Sequence, residues 1–385
     1  MIDRSKHIFL DNNSTTQVDQ RVVEEILPYL THNYFNPSSS NSSGKRIMQL
    51  VSNARNLIAE TFNVDPSGIF FTSGSTEAIN IALKGFIQND KIRGKHIVTV
   101  KTEHSAVLET CKYLETLGFE VTYLEVTSDG LISLDELKKS IRPDTFLVSV
   151  MFVNNETGVI QPIREISEIV HSHGAFFMSD TTQAIGKLNI NADDLNIDIL
   201  CISGHKIHAP KGIGALYIGS DIKKLLITPN THGGKQESGL RAGTLNVPGI
   251  IALAKACEIA HLEILQNQIH ISKLKSQLEN ELLKIPNSKI NGNLINRIFN
   301  VSNICFKGID ANMLIGKLQN LSVSNGSACN SMIFQPSHVL TAMGLSEDEA
   351  MSSIRFSVGK FNTDNEIKEA IEIINYNINL LNRYA

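Results

Sequence analysis

The amino-acid sequence predicts an α/β protein built around a mostly parallel sheet, with a smaller α+β part joined to it. Three observations lead there. Short apolar runs alternate with helix-period stretches from about Val18 to Ile218. Strands separated by helices need crossover connections, which make the strands parallel and cover both faces of the sheet. Polar residues and glycines collect just after several of these runs, where open α/β sheets bind ligands. After Pro248 the pattern changes to one long helical stretch followed by a few separated strands. A length of 385 residues suits two or three domains.

Taken in order, a short run at 8–10 precedes the turn Asp11-Asn12-Asn13. Strand-like runs follow at 69–72, 96–100, 119–124, 146–153, 175–179, 198–202 and 213–218. Helix patterns lie at 44–62, 76–86, 105–117 and 162–173. Residues 38–43, all serine but for Asn41, read as a loop. Beyond Pro248 a helix is predicted over 249–283, strands over 298–306 and 353–358, and helices near 310–320 and 365–382. The predicted division is a large α/β domain over 17–256 and a small α+β domain from 1–16 and 257–385.

Composition excludes several classes. Hydrophobic residues make up 42% and charged residues 19%, enough for a large core. A net charge of −4 gives no electrostatic case for binding nucleic acid or an anionic membrane. No apolar run approaches the roughly 18 residues of a membrane span, and the first residues lack the apolar core of a secretory signal. The five cysteines are scattered without a CxxC pair, which argues against a disulfide framework or structural zinc and fits a reducing cytoplasm.

The chemistry-bearing residues sit at the ends of the predicted strands. Lys206, in Ser203-Gly204-His205-Lys206, follows the run 198–202. A lysine just past a buried strand can be desolvated, which lowers its pKa and makes it an imine-forming nucleophile. Ser73-Gly74-Ser75-Thr76 opens a helix and can offer free N–H groups to a phosphate. His104 follows the run 96–100, Asn155 follows 146–153, and Asp180 and Gln183 follow 175–179. Each alone has a structural use: an N-cap, a core histidine, an ordinary loop lysine. Their convergence on one sheet edge favours a site. A lysine for an imine, an acid for a pyridinium, a phosphate turn and a ring to stack suit pyridoxal phosphate. No GxGxxG follows the first strand, which removes a dinucleotide fold. A second centre is Ser322 to Ser331. There Cys329 lies in a small-residue run without a packing pattern, whereas Cys111, Cys201, Cys257 and Cys305 fall inside helix or strand patterns.

These motifs together resemble the pyridoxal-phosphate-dependent cysteine desulfurases of the NifS/IscS type, within aminotransferase class V and the aspartate-aminotransferase-like fold (fold type I). The resemblance runs through LDNNSTT, FNPSSS, TSGSTEA, KTEHSAVLETC, VNNETGVIQPI, SDTTQAIGKL, SGHKIHAPKGIGALYI, RAGTLNVP, NGSAC and SSIRFSVGKF, in that order. It implies that Lys206 is the imine lysine, that Asp180 pairs with the pyridine nitrogen, and that His104 stacks on the ring and moves protons. It further implies Gln183 on the phenolate oxygen, and Ser75, Thr76, Ser203 and His205 at the phosphate, with Thr244 supplied by the other subunit of a homodimer. Asn155 would touch the cofactor as well and, with Arg355, bind the carboxylate of L-cysteine, and Cys329, on a loop at about 322–335, would take the sulfur as a persulfide. The acceptor would be a scaffold, tRNA-thiolation or DNA-modification protein. The last helical pattern is followed by none of the scaffold-docking tail the resemblance leads one to expect, which favours a dedicated acceptor.

The sequence departs from the family pattern at Asn41 (usually histidine), at Lys235 (usually glycine), at Asn325 (usually serine) and in the apolar Met332-Ile333-Phe334 after Cys329. Competing readings are a selenocysteine lyase or aminotransferase of the same fold, or an idle partner-binding subunit. An aminotransferase has no use for Cys329, and an idle subunit has none for Lys206, Asp180 and His104.

Overall fold

The structure is a computed structural model and describes residues 7–87, 94–223, 227–326 and 335–382. After a short first strand, β1 (Ile8–Phe9), the chain builds one seven-stranded sheet: β2 (Ile69–Thr72), β3 (His96–Val100), β4 (Glu120–Leu124), β5 (Thr145–Ser149), β6 (Phe176–Asp180), β7 (Ile199–Ser203) and β8 (Gly214–Ile218), in the spatial order β2-β8-β7-β6-β5-β3-β4. Contacts from β4 through β7 are parallel, and only β8 runs against its neighbours β2 and β7. The short connection over 204–213 explains this. It holds no crossover helix, so β8 returns beside β7 in the opposite sense.

Every residue of β2, β3, β5 and β7 is buried, as expected of strands covered on both faces, while β4 at the edge is largely open. Side-chain alternation divides the sheet between two cores. Val98 and Val148 fall in one, Ile97 and Leu147 in the other. The helix Gln20–Thr31 is an addition to the predicted elements. It carries Pro28, which reads as a breaker in sequence, and buries Val22.

The helix Val247–Leu282 spans 36 residues and joins two cores. Ile250 and Cys257 pack with the sheet core, whereas Leu274, Leu278 and Leu282 pack in another core with Leu10, Phe306 and Phe356. That second core surrounds a three-stranded antiparallel sheet of β9 (Ser288–Ile290), β10 (Val301–Phe306) and, past β11 (Leu321–Ser322), β12 (Ser353–Ser357), in the order β12-β10-β9. β11 pairs in parallel with β1, which ties the first residues into this part of the chain. Among the described residues, no helix is long and apolar enough to cross a membrane.

Candidate active site

The carboxyl ends of β6 and β7 open into a cleft of about 600 Å³, within the usual range for a small-molecule site. Lys206, Asp180, Gln183, His104, Ser75, Thr76, Asn155, Ser203, His205 and Arg355 all line it. Thr244 does not line it and is exposed. Cys329 lies outside the described residues, as do Met332, Ile333 and Phe334. Cys111, Cys201, Cys257 and Cys305 are buried. Burial pushes the thiols of Cys111 and Cys257 up to about 12, so these are inert packing groups.

Lys206 follows β7 in a single 3₁₀ turn, Gly204–Lys206. Its Nζ donates to the carbonyls of Asn13 and Ser14, both at 2.7 Å. Burial, followed by the positive charge of Arg355, lowers its pKa to about 8. Next to it His205 is pushed down to about 4, chiefly by burial and then by Lys206. A neutral His205 with Nδ1 near Thr15 Oγ1 (3.1 Å) is a hydrogen-bonding group rather than a cation.

His104 is the N-cap of the helix Ser105–Thr116, and its Nδ1 accepts from the amide of Ala106 (3.1 Å). That bond makes Nδ1 the unprotonated nitrogen, so a neutral ring keeps its proton on Nε2. Burial lowers the His104 pKa, which favours that neutral ring. Asp180 ends β6 and accepts from the Thr182 amide (2.9 Å).

The helix Ser75–Lys84 starts after Gly74 without a side-chain cap among the described residues. Gly74 meets Gly214 of β8 closely: a Cβ on Gly214 would lie 2.6 Å from the Gly74 Cα and 2.4 Å from the Ile202 carbonyl oxygen. Two glycines back to back let the uncapped helix end approach the cleft as a cradle for an anion.

Arg355, on β12, is engaged more fully than its sequence suggests. Nη2 contacts Asp11 (2.6 Å) and Nη1 donates to the Asn155 carbonyl (3.0 Å). Its Nε is buried with no partner among the described residues. Sequence reasoning passed over Asp11 because it looks like a turn residue. It passed over Glu156 as well. Glu156 lines the cleft, is buried, accepts from Ser337 Oγ, and is raised by burial to about 7. A Cβ on Gly326 would lie 2.4 Å from Glu156 Oε2, so the carboxyl group touches the chain on both sides of the segment 327–334. Ser324 pairs with Arg355 through its backbone.

The departures from the expected pattern have local uses. Asn41 caps the helix Ser42–Phe62, its Oδ1 accepting from Gly44 (2.8 Å). Asn325 donates to Asn312 (2.8 Å). Lys235 leads into the 3₁₀ turn Gln236–Gly239, held by Glu237. Among the described residues no cluster of metal ligands is present.

A half-buried lysine at a strand end, an acid in the same cleft and an uncapped helix turn are thus brought together. The class-V aminotransferase family matches residues 8–369. The cysteine desulfurase IscS of Methanosarcina thermophila is 45% identical over 96% of this chain and 91% of its own length. A NifS-like protein of known structure superposes with a TM-score of 0.91 at 38% identity, covering 97% of this chain and all of that one. A solved structure of SspA in complex with cysteine superposes with a TM-score of 0.82 at 36% identity, covering 92% of this chain and all of that one. The chain belongs to the class-V aminotransferase family and, within it, to the pyridoxal-phosphate-dependent cysteine desulfurases.

Proposed function

We propose that this cleft holds pyridoxal phosphate on Lys206 and converts L-cysteine to L-alanine, with the sulfur leaving on Cys329. The observation that carries the reading is Lys206 itself, desolvated to a pKa of about 8 in one cleft with Asp180. The residues fit the cofactor. The Gly74–Gly214 approach leaves room for a phosphate before an uncapped helix. Thr182 Oγ1, on the cleft wall, is buried without a partner among the described residues and can meet a bound group. Ser75, Thr76, Ser203 and His205 would hold the phosphate, and Asp180 the ring nitrogen. His104 would stack on the ring and Gln183 would meet the phenolate oxygen. When bound, pyridoxal phosphate supplies an electron sink for a carbanion at the substrate α-carbon.

The protein's own groups do the rest. Arg355 takes the substrate carboxylate through its unpartnered Nε edge, while Asp11 and the Asn155 carbonyl fix its plane. Lys206, neutral above about pH 8, takes the α-proton at Nζ. His104 holds or releases a proton at Nε2. The Cys329 thiolate attacks the substrate sulfur. A sulfur–sulfur bond forms, the carbon–sulfur bond breaks, and its electron pair stays with carbon to be protonated on the way to alanine. The protein acts as a homodimer in which Thr244 completes the partner's phosphate site, and the persulfide passes to an acceptor protein. The similar structure of SspA in complex with cysteine supports the substrate class.

The test is product analysis. Loaded protein with L-cysteine and a reductant should release alanine and sulfide in equal amounts, and Lys206→Ala should release neither. A keto acid in place of alanine would replace this reading by an aminotransferase.

A further inference from the structure

Lys187 lies on no strand end, yet it is half-buried beside the site. Burial, followed by the charges of Lys206 and Arg355, lowers its pKa to about 7. With Lys206 it lines a cavity of about 50 Å³ behind the cleft. An apolar side chain there would avoid the cost of desolvating an amine.

Among the described residues its Nζ is spent on one partner, Gln183. It donates to the Gln183 carbonyl (3.2 Å) and to Gln183 Oε1 (2.9 Å). The turn between them makes this possible. Gly186 has φ +69°, and a Cβ there would lie 3.0 Å from both Ala260 Cβ and Ile207 Cγ2. The turn is therefore pressed between the long helix and the residue after Lys206. The other end of the amide is held too, because Gln183 Nε2 donates to the Asn13 carbonyl (3.0 Å).

From this we propose that Lys187 is a positioning residue that makes Gln183 a hydrogen-bond donor into the cleft. A lysine offers N–H groups whether charged or neutral, so Oε1 is drawn to it and Nε2 faces Asn13 with its second N–H left for the site. Reversing the amide would set Oε1 against the Asn13 carbonyl and turn an acceptor toward an anionic phenolate. The inference rests on the reading that Gln183 meets the phenolate oxygen of pyridoxal phosphate.

A donor on that oxygen favours its anion, so losing the donor raises the pH midpoint at which the bound chromophore titrates. In the pyridoxal-phosphate-loaded dimer this midpoint is read from the visible spectrum for Gln183→Leu, Lys187→Met, Lys187→Arg and the double variant Gln183→Leu/Lys187→Met. A hydrogen bond to a charged group sets the expected size. Gln183→Leu should raise the midpoint by about one unit, roughly a tenfold change in acidity constant. Lys187→Met should raise it several-fold in the same constant, and Lys187→Arg should restore most of the change. The double variant should match Gln183→Leu alone, because a residue acting through another adds nothing once that other is gone. If Lys187→Met shifts the midpoint equally with and without Gln183, Lys187 acts by charge and the proposal fails while the reading of Gln183 stands. If Gln183→Leu leaves the midpoint unmoved, that reading fails and the proposal with it. Should Lys187→Met not fold, Lys187→Leu, with and without Gln183→Leu, takes its place under the same two outcomes.

Discussion

Gly214→Ala probes the way the sheet builds the phosphate cradle. In β8, Gly214 stands opposite Thr72 of β2 on one side and Ser203 of β7 on the other. These are the last residues of the two strands that lead into Ser73–Thr76 and into Gly204–Lys206. An added Cβ would lie 2.4 Å from the Ile202 carbonyl oxygen, 2.6 Å from the Gly74 Cα and 3.0 Å from the Gly74 carbonyl carbon. All three are backbone atoms in or beside a sheet, so no side chain can swing away to relieve the overlap. Overpacking a tight site costs about 1–3 kcal/mol. Here the strain falls on the cradle, because moving Gly74 moves the start of the helix Ser75–Lys84. The variant should lower the thermal midpoint and weaken pyridoxal phosphate binding roughly tenfold or more, on the scale of 1.4 kcal/mol per tenfold. Fluorescence titration of the apoprotein measures the second effect. Gly118→Ala is the control. Gly118 has φ +83° with open space around it, so it should lose about 1–2 kcal/mol of stability from the left-handed backbone alone and bind cofactor normally. Wild-type affinity in Gly214→Ala would refute the cradle.

Capture of pyridoxal phosphate by the apoprotein should rise with pH with a midpoint near pH 8, because Lys206 reacts only as the free amine and its pKa is lowered to about 8. A midpoint above pH 10, as for a surface lysine, would contradict a desolvated amine at this site. Cys329→Ser should still change the cofactor spectrum on adding L-cysteine yet release almost no sulfide, and full sulfide release would remove Cys329 from its role. Arg55→Met should destabilise the fold by about 3–5 kcal/mol in denaturant unfolding. It strips two hydrogen bonds from Glu237, whose side chain is fully enclosed and also accepts from the Phe71 amide. An unchanged unfolding midpoint would show that Glu237 finds another partner.

Much of this protein was legible from sequence because local patterns carry local structure. The runs 69–72 and 96–100 emerge as β2 and β3 without change, since a short apolar run between breakers leaves few other choices. The strand ends then put Lys206, Asp180, His104 and the turn before Thr76 on one edge, for a sheet with crossover helices brings its carboxyl ends together. The tertiary structure alone decided which distant segments close over that edge. Asp11 meets Arg355 across 344 positions of chain, and Ser337 meets Glu156 across 181. Neither spacing carries a period, and each partner has an ordinary reading as a turn or cap residue. Lys187 was equally silent. Its four-residue spacing from Gln183 is that of any helical pair, and only the left-handed Gly186, pressed between Ala260 and Ile207, turns its amine inward. Periodicity sets which residues become strand or helix. The contacts that tune a site come from packing the whole chain, where a side chain's partner is fixed by every element around it.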